Sequence, residues 1–191
     1  MQFIPQSIPD VFVIEPKVHG DHRGYFAETF RQDKLEQALG YKIDFIQDNE
    51  SKSSKGVLRG LHFQLAPFAQ SKLVRVIEGA VLDVAVDIRK GSPRFGQHVA
   101  VELSGDNKKQ MFIPRGFAHG FVVLTDTATF AYKVDNYYSP ESDRGLAFDD
   151  VALNIDWLLT KEQLLLSDKD TQQPLLAALT DCFDYKQNYY V

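Results

Sequence analysis

The chain reads as an all-β protein, a sandwich or barrel with a small helical appendage near its carboxy-terminal end, and three observations lead there. Short runs rich in Val, Ile, Phe and Tyr follow one another, separated by Gly, Pro, Asp and Ser, a pattern of strands and turns. Only one early segment has helical spacing. After Ser139-Pro140 the strand pattern gives way to turn and capping residues. Many strands with a single helix among them favour sheet packed on sheet over alternating strands and helices.

Taken in order, strands are expected over Val11–Glu15 and Tyr25–Phe30, then a helix over Asp33–Leu39. Leu35 and Leu39 share a helical face there, and Gly40 stops the helix. Asp44–Asp48 reads as a strand, and the polar run from Gln47 to Lys55 as a loop before the strand Val57–Gln64. The stretch LVRVIEGAVLDVAVDI reads as a hairpin of Lys72–Ile77 and Val81–Ile88 turning at Glu78-Gly79, because glycine takes the positive φ of tight turns. In its second arm Leu82, Val84, Val86 and Ile88 share one face, Val81, Asp83, Ala85 and Asp87 the other. Two acids on one face mean that it is solvated, the commoner case, or lines a polar cavity; a strand-end surface charge is the plain reading for Asp87. Further strands are His98–Leu103, Gln110–Ile113, Phe117–Leu124 and Thr129–Val134. Thr160 to Gln163 fits a capping box ahead of the apolar Leu164–Leu166 run, and Pro174 can open another short helix.

Bulk properties bound the function. At 191 residues the chain makes one domain, with a barrel core over about 11–148 and the appendage over about 149–191. The net charge of -5, from 21 Lys+Arg against 26 Asp+Glu, gives no general surface for nucleic acid or membrane, yet leaves room for a local basic pocket. Cys182 is the sole cysteine, which rules out an intrachain disulfide and a multi-cysteine zinc site. The amino terminus lacks a basic segment leading into an apolar run, and nothing approaches the roughly 20 apolar residues of a membrane helix. A cytoplasmic protein is expected.

Two stretches concentrate chemistry. Gly56-Val57-Leu58-Arg59-Gly60-Leu61-His62-Phe63-Gln64 puts Arg59 and His62 on one strand. Singly, such residues are most often an ion-pair partner and a hydrogen-bonded structural histidine. Ile113-Pro114-Arg115-Gly116-Phe117-Ala118-His119-Gly120-Phe121 has the P-x-G-x-x-H arrangement and resembles the second motif of the cupin superfamily, where the histidine points from a strand into a jelly-roll barrel. Metal-binding cupins also carry an earlier His-x-His with a nearby Glu. His62-Phe63-Gln64 supplies one histidine only, a poor metal site, so no metal and no other cofactor are expected.

Those two stretches, with Lys72-Leu73-Val74-Arg75-Val76, Tyr132-Lys133 and Leu166-Ser167-Asp168-Lys169-Asp170, resemble the dTDP-4-dehydrorhamnose 3,5-epimerases, in the same order from about Ile14 to Asp170. The resemblance implies a cupin barrel that acts on a dTDP-linked 4-keto-6-deoxyhexose without a cofactor. It implies His62 as general base, Asp170 as its carboxylate partner, Tyr132 as the acid on the opposite face and Lys72 as the enolate stabiliser. Arg59 and Arg23 are then pyrophosphate contacts, and Phe26, Glu28, Gln47 and Asn49 surround the deoxythymidine and sugar. Tyr138 stacks on thymine, Lys169 adds a contact, His119 hydrogen-bonds the hexose, and Asp83 holds Lys72 or His119 from behind. It also implies a homodimer in which the strand near Tyr25–Phe30 reaches the partner's site.

Strict alternation would put Arg59 and His62 on opposite faces. A bulge at Gly60, or an approach of Arg59 from the barrel rim, is therefore required. Two rival functions use much of the same set. Relatives that invert one carbon, or move the ketone, need the same base, although the presence of Tyr132 favours double inversion. A sugar-binding or sensory barrel attached to a regulator would need a basic recognition helix after Tyr138, where the chain instead carries Asp149, Asp150, Asp156, Glu162, Asp168 and Asp170. A catalytically silent sugar-nucleotide binder stays open, and a storage barrel has no use for convergent Arg, His, Lys and Tyr.

Overall fold

In the computed structural model of the chain, which describes residues 1–190, the strands build two main antiparallel sheets. In chain order the elements are β1 (Gln2–Pro5), β2 (Phe12–Glu15), β3 (Val18–Asp21), β4 (Gly24–Ala27), α1 (Gln32–Leu39), β5 (Gln47–Ser54), β6 (Leu58–Gln64), β7 (Lys72–Glu78) and β8 (Ala80–Asp87). They continue with β9 (Arg89–Lys90), β10 (His98–Ser104), β11 (Gln110–Ile113), β12 (Phe117–Val123), β13 (Thr127–Val134), β14 (Asp143–Gly145) and β15 (Phe183–Asp184). One sheet runs β1-β2-β11-β7-β13-β5, the other β10-β8-β12-β6-β14. From β10 to β13 each strand lies in the opposite sheet from the last, so the two sheets close the expected jelly-roll barrel.

Alternation sorts the side chains into three apolar layers. Between the sheets sit Val74, Val76, Val81, Ala85, Met111 and Phe130, with the Phe121 ring 4.1 Å from that of Phe130. Outside the smaller sheet, Leu82, Val84 and Val86 of β8, with Ile88 just beyond it, meet Phe148, Leu153, Trp157 and Phe183 of the appendage. Outside the larger sheet, Leu35 of α1 covers Ile14, Leu73 and Phe112. The helix ends where Gly40, at φ 78°, donates its N–H to the Glu36 carbonyl.

The structure corrects four of the local expectations. Strands β7 and β8 form no hairpin, because they belong to opposite sheets. Gly79 is instead a corner between sheets, where an added Cβ would stand 2.1 Å from the Thr127 carbonyl oxygen. A glycine with positive φ serves either geometry, and the full burial of β8 on both faces distinguishes them. Gln47–Ser54 is an edge strand rather than a loop, paired along its whole length with β13, and Asp44–Phe45 precedes it without strand structure. Its less exposed residues Gln47, Asn49, Ser51 and Ser53 alternate properly, but they face a polar cavity and so carry no hydrophobic period.

Asp87 is fully buried rather than a surface charge, and it accepts hydrogen bonds from Arg89 and Ser92. The appendage is less helical than expected. Thr160 N donates to Gln163 Oε1 at 2.9 Å as a capping residue should, but the helix stops after the single turn Lys161–Gln163. Leu165 then extends to pair with the segment around Val57, trading helical bonds for sheet-like ones. Pro174 likewise leads into no more than the short turn Leu176–Ala178.

Candidate active site

The bulge at Gly60 builds the site. His119 pairs with His62 and Phe121 with Arg59, so β6 spends three positions where β12 spends two, and Arg59 and His62 reach one cavity. Gly60, at φ 133°, allows it: an added Cβ would stand 2.5 Å from Gly120 Cα. Of the two routes that the sequence left open, the bulge is the one used.

That cavity, of about 580 Å³, is lined by Asn49, Arg59, His62, Lys72, His119, Tyr132 and Asp170. An adjoining cavity shares Asn49, His62, Lys72 and Tyr132 and adds Gln47, Tyr138, Lys169 and Asp143. Phe26 and Glu28 line a groove on the outer face of the larger sheet, beside Leu73, Arg75 and Lys133, so that the sheet separates them from the site. Arg23 lies apart, at the β3–β4 turn, paired with Asp21 at 2.6 Å. Within a single chain, therefore, Arg23, Phe26 and Glu28 stand apart from the site, while the other candidate residues line its two adjoining cavities or, as Asp83 does, stand directly behind them. Sequence reasoning missed Asp143, which accepts from the Tyr138 hydroxyl at 3.1 Å and pairs with Lys169. It sits on a three-residue strand with no motif to mark it.

His62 Nε2 lies 2.5 Å from Asp170 Oδ1. Burial works to raise the Asp170 pKa, but hydrogen bonds from His62, Ser167 and the Gly60 backbone outweigh it and hold the carboxyl below its ordinary range. An ionised carboxylate only accepts, so Nε2 carries the hydrogen. In neutral imidazole this leaves Nδ1 with the free lone pair, the state a general base needs.

Lys72 points between the sheets from the start of β7. Burial pushes its ammonium down to about 8, while Asp83 and Asp143 pull it up and Lys169 adds to the fall. Asp83, wholly buried, contacts His119 directly and reaches Lys72 only through its field. Burial lowers the His119 pKa against the pull of Asp83, so His119 is a neutral hydrogen-bonding group. Burial raises the Tyr132 pKa despite the nearby Arg59 charge, keeping the phenol protonated and able to donate. Arg59 is held by Ser53 Oγ at 3.2 Å from its Nη2. Among the described residues, no three His, Cys, Asp or Glu side chains cluster as a metal site requires, and no helix is long and apolar enough to cross a membrane.

A jelly-roll barrel with a His–Asp pair, a buried lysine and a protonated tyrosine around one cavity defines a cupin-type protein equipped for proton transfer. Residues 5–178 match the sequence model of the dTDP-4-dehydrorhamnose 3,5-epimerases. The enzyme of that name from Shigella flexneri is 57% identical over 170 residues, 89% of this chain and 93% of the relative. That from Salmonella typhimurium is 54% identical over 183 residues, 95% and 100% of the two chains. The crystal structure of dTDP-6-deoxy-D-glucose-3,5-epimerase from Legionella pneumophila, in complex with dTDP-4-keto-L-rhamnose, superposes with a TM-score of 0.93 at 49% identity, covering 97% of this chain and 99% of the other. The chain belongs to the dTDP-4-dehydrorhamnose 3,5-epimerase family.

Proposed function

We propose that the protein converts dTDP-4-dehydro-6-deoxy-D-glucose to dTDP-4-dehydro-L-rhamnose, inverting carbons 3 and 5, as a step of dTDP-rhamnose biosynthesis. The observation that carries the residue assignment is the shared cavity of His62, Lys72 and Tyr132, with Asp170 fixing the His62 tautomer. Both carbons flank the carbon-4 ketone, so removing either proton gives an enolate. His62 Nδ1 takes the proton, and Asp170 stabilises the imidazolium that results. Lys72 faces the enolate oxygen; a fixed cation aimed at developing charge contributes on the order of 3 kcal/mol in a site closed to water. Tyr132 returns a proton on the other face. Solvent then strips the imidazolium and reprotonates the tyrosinate, leaving the enzyme as it began.

For the nucleotide, Arg59 takes the pyrophosphate with its guanidinium fork, Tyr138 stacks on thymine, and Gln47, Asn49, Lys169 and His119 hold sugar and base. Arg23, Phe26 and Glu28 serve the partner's site in a homodimer. The side chain of Arg23 is 78% exposed and Phe26 is 70% exposed on β4 and its turn, which supports an exchange of this hairpin between subunits. Barrel and appendage act as a single domain, because the appendage supplies one wall of the outer core; a single unfolding transition is expected. A cytoplasmic location suits a reaction on a nucleotide-linked sugar.

Incubation with dTDP-4-dehydro-6-deoxyglucose in D2O, followed by NMR, tests the reaction. Deuterium entering carbons 3 and 5, and lost in His62→Ala, is the expected outcome. Incorporation at one carbon alone would make the protein a single-position epimerase, and none, with dTDP still bound, would leave a silent binder.

A further inference from the structure

We propose that Ser167 is a positioning residue of the proton-transfer machinery, the outer member of a Ser167–Asp170–His62 relay. This rests on the assignment of His62 as base. The Ser167 hydroxyl donates to Asp170 Oδ2 at 2.7 Å, while the other carboxylate oxygen, Oδ1, holds His62 Nε2 at 2.5 Å. A carboxylate gripped at both oxygens cannot rotate about its Cβ–Cγ bond, so its plane, and through it the imidazole ring, has one orientation. The Asp170 side chain is only 4% exposed, and water is a poor substitute donor there. Without the hydroxyl, Oδ2 loses its side-chain donor in a place where water replaces it poorly. The carboxylate then turns or takes up a proton, and either change frees His62 to place its hydrogen on Nδ1, the atom that must accept.

The backbone makes the relay rigid. Leu165, two residues before Ser167, donates its N–H to the Gly56 carbonyl at 2.8 Å and accepts from Leu58 N–H at 3.0 Å. Only glycine at position 56 permits this approach, since an added Cβ would stand 2.1 Å from the Gln163 carbonyl oxygen. Leu58 begins the strand that carries His62, so the base and its two orienting groups share one frame. Asp170 N–H also donates to the Ser167 carbonyl at 3.0 Å, which closes the turn without the hydroxyl. The serine Oγ is 3.3 Å from that N–H but 2.7 Å from the carboxylate. The side chain therefore serves Asp170's charge more than the turn.

The test compares Ser167→Ala and Ser167→Thr with the wild-type protein. Four readouts are needed: kcat and KM for the dTDP-linked ketosugar, dTDP affinity, melting temperature, and the His62 tautomer from ¹⁵N NMR of the dTDP complex, its signals assigned with His62→Asn. In Ser167→Ala, kcat falls about tenfold with KM and dTDP affinity within about twofold, and His62 becomes a mixture of tautomers. Ser167→Thr, which keeps the hydroxyl, recovers most of kcat and the single tautomer. An alanine variant with wild-type kcat and an unmixed tautomer overturns the proposal. So does a variant in which kcat, dTDP affinity and melting temperature fall together without rescue by threonine, since that is a folding effect. If the wild-type protein exchanges no deuterium, the assignment of His62 as base fails, while the tautomer comparison still decides the role of Ser167.

Discussion

Nε2 of His119 lies 3.0 Å from both carboxylate oxygens of Asp83, and both residues are buried between the sheets. One carboxylate thus does two things. It gives a buried imidazole its hydrogen-bond partner, and its field keeps Lys72 charged against the desolvation that would neutralise it. The two acids on one face of β8 have separate partners: Asp83 holds His119 and acts on Lys72 through its field, and Asp87 ties Arg89 and Ser92 at the strand end.

Asp83→Asn keeps the shape and removes the charge. Lys72 then loses its proton at a lower pH than about 8, its position in the wild-type protein. The alkaline fall in kcat is expected to shift toward neutrality, and a kcat profile from about pH 6 to about pH 10 checks it. An alkaline limb that stays in place would separate Asp83 from the Lys72 charge.

Lys72 itself sets activity against stability. Wild-type kcat is expected to fall as pH rises through about 8, where the ammonium loses its proton. Its folded pKa lies below the ordinary 10.5, so the fold disfavours the charged form. The charge costs stability below about pH 8, and the cost is relieved as pH climbs toward 10.5. Lys72→Met should therefore lose on the order of 10²–10³ in kcat with a melting temperature at neutral pH no lower than that of the wild type. Thermal melts beside single-turnover rates decide the matter.

Gly120 faces the bulge from β12. An added Cβ there would stand 2.7 Å from the Arg59 carbonyl oxygen and 3.0 Å from Gly60 Cα, both backbone atoms that cannot swing aside. In Gly120→Ala the ladder must part where Arg59 and His62 are brought to one cavity. Stability should drop by about 1–3 kcal/mol, as for other overpacked sites, and dTDP affinity and kcat should fall together. Calorimetry with dTDP distinguishes this from a purely global loss, because the folded fraction would still bind weakly.

Much of the fold and site was legible in the chain. Alternating apolar strands gave a sandwich or barrel, and the clash between strand alternation and a shared role for Arg59 and His62 pointed to a bulge at Gly60 or an approach of Arg59 from the rim, of which the structure uses the bulge. What stayed hidden has physical causes. Gln47–Ser54 faces a polar cavity on one side and solvent on the other, so no hydrophobic period marks it as a strand. Gly79 at a corner between sheets has the same local chemistry as glycine in a hairpin turn. Asp170 is 108 positions from His62, a distance over which spacing says nothing; only the Ser-x-Lys-Asp motif found it. Asp143 had neither motif nor period. Arg23 matched the family pattern, yet its own chain leaves it far from the cavity.

The isolation of Arg23 from its own cavity can be tested by mixing subunits. If Arg23 serves the partner's site, Arg23→Ala and His62→Ala subunits, each inactive as homodimers, should complement one another when mixed. In the mixed dimer one site combines an intact His62 with an intact Arg23 from the other subunit, and the second site lacks both. Random pairing at equal amounts makes half the dimers mixed, each with one working site of two, so activity should return to about a quarter of the wild-type value. Unfolding and refolding the two variants together, then assaying epimerisation, measures it. If Arg23 acts within its own chain, no site in any dimer is complete and the mixture stays inactive. Recovery near a quarter would also require at least a dimer in solution, with the β3–β4 hairpin as the part exchanged.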